Sequence, residues 1–133
     1  MIRILLPVIA ILTLVGCGRE SLDEKIAREM SEYSLRQCPR RIDPYTILDS
    51  IVYRGDSKEM RHYYTVQDTL DNGDVYTDEL CNEFRSKLLA NIRNSVGMKT
   101  YKAHGVTFAY QYRSGRTKKV YLDIKFTSSD YRE

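Results

Sequence analysis

Residues 106–126, VTFAYQYRSGRTKKVYLDIKF, decide the fold class of this chain. Val106, Phe108, Tyr110 and Tyr112 alternate with Thr107, Ala109 and Gln111. After a turn at Ser114-Gly115, Val120, Leu122, Ile124 and Phe126 alternate with Lys119, Tyr121, Asp123 and Lys125. A period of two over both runs predicts antiparallel strands with one buried and one wet face. The stretch RSGRTKK (Arg113 to Lys119) is then a hairpin turn, and its basic residues read as a solvated tip rather than a nucleic-acid patch.

Working outward, Met98 to Ala103 reads as a weaker strand closed by a turn at His104-Gly105. Before it, Leu80, Cys81, Phe84, Leu88, Ile92 and Val96 form one helical stripe. It starts near Tyr76 or Thr77, carries Asp78 and Glu79 at its positive end, and stops at Gly97. Tyr45 to Tyr53 (YTILDSIVY) and Arg61 to Thr69 (RHYYTVQDT) predict a hairpin around Arg54 to Ser57. Strict alternation puts Ile47, Asp49, Ile51 and Tyr53 on one face of its first strand, and Leu48, Ser50 and Val52 on the other. Cys38 to Pro44 holds two prolines and reads as an irregular connector. Ser21-Leu22-Asp23-Glu24 has capping-box spacing and opens a helix of about 21–37, with Leu22, Ile26, Met30 and Tyr33 on its apolar stripe. Ser128 to Glu133 is a polar tail whose Tyr131 folds back. The order α-β-β-α-β-β-β predicts an α+β fold, two helices packed on one face of an antiparallel sheet of about five strands.

The first seventeen residues, MIRILLPVIAILTLVGC, are of another kind. Arg3 is the one charge before Cys17, and Ile4 to Val15 is almost wholly apolar. That is shorter than the roughly 20 residues a membrane-spanning helix needs, and suits a secretory signal. Leu14-Val15-Gly16-Cys17 resembles the lipobox of bacterial lipoproteins. The resemblance implies a signal peptide of residues 1–16, a lipidated Cys17 with a short tether (17–20), and one domain, 21–133. Several acyl chains hold a soluble domain where one does not. An ordinary cleaved signal or a short uncleaved anchor would use the same apolar run. In lipoproteins of this type an Asp after the Cys favours inner-membrane retention. Gly18 therefore implies the outer membrane rather than the inner, with its side left open.

The chain of 133 residues carries 21 Lys and Arg against 18 Asp and Glu, a net charge of +3. Cleavage before Cys17 would remove only Arg3 and leave +2, a balance that favours no nucleic acid. Cys38 and Cys81 remain. In an oxidising compartment such a pair reads first as a disulfide, stabilising by about 4 kcal/mol in the chain-entropy model, and otherwise as two buried thiols. Two histidines and no CxxC argue against zinc, and neither a metal nor a cofactor is expected.

Cys38-Pro39-x-x-Ile42-Asp43-x-x-Thr46-x-Leu48-Asp49-Ser50, with Tyr63-Tyr64-Thr65-Val66, Val106-Thr107-Phe108-x-Tyr110 and Ser129-Asp130-Tyr131, resembles small bacterial lipoproteins and envelope proteins with no assigned activity. The resemblance implies an exported α+β domain and transfers no catalytic residue.

Chemistry is sparse. His62 could approach Asp49 across the hairpin, with Ser50 as the nearest nucleophile, but no Gly-x-Ser-x-Gly elbow is present. Tyrosine is the compositional excess, eleven in all. Tyr63 and Tyr121 fall on nominally polar faces and are candidate binding residues, together with Arg113 and Arg116 in the basic turn. The expected function is that of a membrane-anchored envelope lipoprotein, a non-enzymatic module binding another envelope protein. The alternative is an inhibitor or immunity-like protein acting through the Arg113 to Lys119 loop.

Overall fold

The computed structural model describes residues 19–132. Cys17 and the signal segment lie outside them. Helix α1 (Leu22–Gln37) opens on the expected capping box, in which Ser21 Oγ accepts from Glu24 N and the Glu24 carboxylate accepts from Ser21 N. Five strands follow, β1 (Arg40–Asp43), β2 (Thr46–Arg54), β3 (Glu59–Val66), β4 (Thr107–Ser114) and β5 (Val120–Phe126). Between β3 and β4 lie two short 3-10 turns, then α2 (Asp78–Asn94) and α3 (Lys99–Ala103); α4 (Ser128–Tyr131) closes the chain.

The sheet order is β1-β2-β3-β4-β5. It is mixed, because β3 and β4 run parallel while every other pair is antiparallel. This corrects the expected antiparallel meander, and the cause is local. Met98 to Ala103 holds no strand; Lys99–Ala103 is helical, with Tyr101 packed against the core. The 17-residue α2 carries the chain about 26 Å back along the sheet, so β4 starts at the end where β3 started. The connector after Cys38 differs too, since Arg40–Asp43 pairs with the start of β2 as an edge strand.

The faces of β3, β4 and, from Leu122 on, β5 follow the predicted alternation. Met60, His62, Tyr64 and Val66 pair with Phe108, Tyr110, Tyr112 and Ser114 under the helices. His62 stacks on Tyr110 at 4.5 Å and Tyr64 on Tyr112 at 4.6 Å, a ladder of directly opposed rings. Phe108, Phe126, Ile26, Ile92, Val66 and Val106 are fully buried there. β5 breaks the pattern at its start, where a register shift sets Val120 opposite Arg113 on the outer face, 43% exposed, and packs Tyr121 against the core. β2 breaks it in the middle. A bulge at Asp49 turns Ile51 and Tyr53 to the helix side and leaves Ile47 and Asp49 on the other, so strict alternation fails across it.

β1 covers only Thr46 to Leu48 of β2. Beyond it the edge is closed by α1, whose Ser34 hydroxyl accepts from Ile51 N at 2.9 Å and donates to Ile51 O at 3.0 Å. The tail is helical, and Tyr131 folds back as expected, donating to Val106 O at 2.7 Å.

Candidate functional site

At the end of the sheet where β2 begins and β3 ends, apolar side chains are left uncovered between β1 and α2. Ile42 and Asp43 of β1 form one wall, and Leu80, Cys81 and Phe84 of α2 the other. Thr46, Val66, Tyr112 and Leu122 make the floor, and Leu70 and Tyr76 close the end. The enclosed volume is about 130 Å³. Small-molecule sites run to about 300 Å³ or more, so this groove suits one or two aliphatic side chains of a partner rather than a metabolite.

The groove is built by caps and stacking. Thr77 caps α2, its Oγ1 accepting from Leu80 N at 3.2 Å, and so sets Leu80, Cys81 and Phe84 on the inner side. Phe84 meets Tyr112 edge-on at 5.0 Å. Tyr76 donates to Leu70 O at 2.9 Å and stacks on Tyr121 at 4.7 Å. Burial pushes the Tyr76 hydroxyl up to about 12, so it stays a donor. Asp43 supplies a carboxylate at the rim, with Oδ1 accepting from Tyr45 N.

Beside the groove lies a wide, shallow polar hollow lined by Gln67, Asp68, Thr69, Asp71, Asn72, Gly115 and Arg116. Its centre is Asp71, only 4% exposed. The Asp71 carboxylate accepts from Ser114 Oγ, Tyr121 Oη (2.8 Å), Arg116 N (3.1 Å) and Arg116 Nε (3.3 Å). Arg116 Nη2 also donates to Asp71 O at 2.8 Å. Hydrogen bonds, the one from Ser114 foremost, hold the carboxyl down at about 2. This cluster ties the β4–β5 turn to the loop before α2.

The residues singled out from sequence do not converge. Arg116 and Tyr121 meet at Asp71, whereas Tyr63 and Arg113 lie on the sheet face away from the helices. Arg113 Nη2 is 3.8 Å from Asp49 Oδ2 there. The Asp49–His62 pairing is not formed, because the two side chains lie on opposite faces. Asp49 accepts from Thr65 Oγ1 at 2.6 Å, while buried His62 donates from Nδ1 to Ala109 O at 3.1 Å. Burial pushes the imidazole down to about 4, so it is neutral. Ser50 shares Tyr63's face, away from the imidazole.

The expected Cys38–Cys81 bridge is also not formed. Both thiols are free and half-buried. Cys38 caps the end of α1, where burial foremost, with the Asp49 charge, pushes its thiol up; Cys81 sits on the α2 wall of the groove. Among the described residues no group of three His, Cys, Asp or Glu could hold a metal ion, and no helix is long and apolar enough to cross a membrane.

The groove itself escaped the sequence reading. Ile42 and Leu70, apolar residues inside otherwise polar connectors, were the available signal.

A family model described as Domain of unknown function (DUF8479) matches residues 21–122. Comparison with curated proteins gives no match. Among solved structures, the fold is similar to one described as a secreted protein of Pseudomonas aeruginosa (TM-score 0.66, 16% identity, 84% of this chain and 98% of that one). It is similar to the type 2 secretion system pilotin of Vibrio vulnificus (TM-score 0.61, 11% identity, 84% and 92%). It is also similar to the type II secretion system pilotin of Vibrio cholerae (TM-score 0.57, 14% identity, 81% and 90%).

Proposed function

The chain belongs to this family of unknown function, and from that premise we propose that it is a non-catalytic envelope lipoprotein, anchored through Cys17, that binds an apolar segment of another envelope protein in the groove between β1 and α2. The observation that carries the reading is the groove: an apolar recess walled by Ile42 and Leu80, with no nucleophile–base pair beside it among the described residues. A pilotin-like role in the envelope is supported by the fold shared with two pilotins and by the resemblance of Leu14 to Cys17 to a lipobox. In this reading the domain is tethered to the outer membrane and its partner is a protein.

The test places a photo-reactive residue at position 42, in the groove, or at position 63, on the opposite sheet face, in tagged protein in living cells. A defined crosslinked protein from position 42 alone, reduced by Cys17→Ser, is the expected result. The same products from both positions would overturn the groove as the site.

A further inference from the structure

The chain enters α1 at one end of the module and the groove opens at the other. In the first turn of α1, Asp23 accepts from the Tyr53 hydroxyl and from His104 Nε2 (2.7 Å). Its Cβ lies 3.0 Å from where a Cβ on Gly55 would stand. The start of α1, the β2–β3 turn and the α3–β4 turn therefore share one end. α2 runs to the same end, and the turn after it sets Gly97 beside Leu22 and Lys25. Two large apolar side chains face solvent here, Leu22 at 38% and Val96 at 85% exposure. Exposed Arg19, Lys25, Lys58 and Lys99 lie on the segments that meet at this end, with Glu20, Glu24 and Asp56 the exposed acids there.

An apolar tip on lysine-bearing segments fits the headgroup–acyl boundary of a bilayer, where aliphatic groups leave water and cations meet lipid phosphates. The position of the chain makes a bilayer the occupant. From Cys17 to Ser21 the chain spans at most about 14 Å, so an acylated Cys17 keeps this end at the surface. We propose that the end carrying Val96 and Leu22 docks on the membrane and holds the domain upright. The nine residues of β2 then place the groove about 30 Å from the lipid, open towards a partner in the adjoining space. The inference rests on the Cys17 anchor of the proposed function.

The chain has no tryptophan, so Val96→Trp and Leu35→Trp each install a single reporter. Leu35, 83% exposed on the last turns of α1, lies toward the other end. Full-length protein matured in bacterial membranes is checked by mass for acylation, then reconstituted in phosphatidylethanolamine–phosphatidylglycerol vesicles with brominated acyl chains. The expected result is that Val96→Trp shifts to the blue and loses most of its emission, while Leu35→Trp emits as in water. Acylated protein in which Val96→Trp is as unquenched as Leu35→Trp, or in which both are quenched, overturns the upright docking and leaves the anchor standing. An unmodified Cys17 overturns the anchor, and this inference with it.

Discussion

Two hollows lie side by side at one end of this molecule, and they differ in what fills them. The polar one is the wider, yet its buried carboxylate is saturated: Asp71 takes hydrogen bonds from Ser114, Arg116 and Tyr121. The apolar one is small, and Ile42, Leu80 and Phe84 remain at its walls with no side chain of the described residues between them. A polar cluster whose bonds are all made internally holds a fold together and has little left to offer a ligand. An apolar recess left open has surface still to remove from water. The contrast assigns stability to the first and recognition to the second, and it can be broken at either side.

The largest expected effect on stability is at the polar hollow. Asp71→Ala removes the acceptor of Ser114, Tyr121 and Arg116 together, and its urea or thermal midpoint is expected to fall further than that of any other single change below. A midpoint within error of the parent would show that the cluster is not structural.

Next is acid sensitivity. The imidazole of His62 titrates near 4 in the folded chain and near 6.5 in the unfolded one. As pH falls below 6.5 the unfolded chain takes up a proton that the folded chain refuses, so stability declines until about pH 4. The full loss is about 3 kcal/mol. His62→Gln keeps an N–H for the Ala109 carbonyl and does not titrate. Its urea midpoints between pH 6.5 and 4 are expected to fall less than the parent's; parallel profiles would contradict a neutral buried imidazole.

A smaller loss, about 1 kcal/mol, is expected from Ser34→Ala, which leaves Ile51 N–H at the sheet edge without its partner. Denaturant unfolding reads it directly.

How much of this was legible in the sequence depended on the range of the cause. The capping box at Ser21, the stripe of α2 as far as Ile92, the alternation of β3, β4 and later β5 and the return of Tyr131 are set by neighbours a few residues apart, and local pattern shows them. Val96, read as the end of that stripe, lies past the helix at 85% exposure. The β2 faces were misassigned because one extra residue, Asp49, inverts everything after it. The segment 98–103 has the look of a weak strand, yet 99–103 is helical, with Tyr101 packed against the core from distant parts of the chain. The parallel pairing of β3 with β4 follows from the return of the chain along α2, with no strand at 98–103 to intervene. The groove joins Ile42, Leu70, Leu80 and Leu122 from four separate elements, which no local pattern links.

The smallest effect on stability belongs to the most telling change. Leu80 is the third residue of α2, so Leu80→Glu completes a capping box with Thr77 while placing a charge on the groove wall. Its unfolding midpoint is expected to stay close to the parent's. The decisive measurement is the yield of the position-42 photo-crosslink in cells carrying Leu80→Glu. Loss of the product, with the protein still folded and at its normal level, is the expected result; a product of undiminished yield would contradict the groove as the binding site.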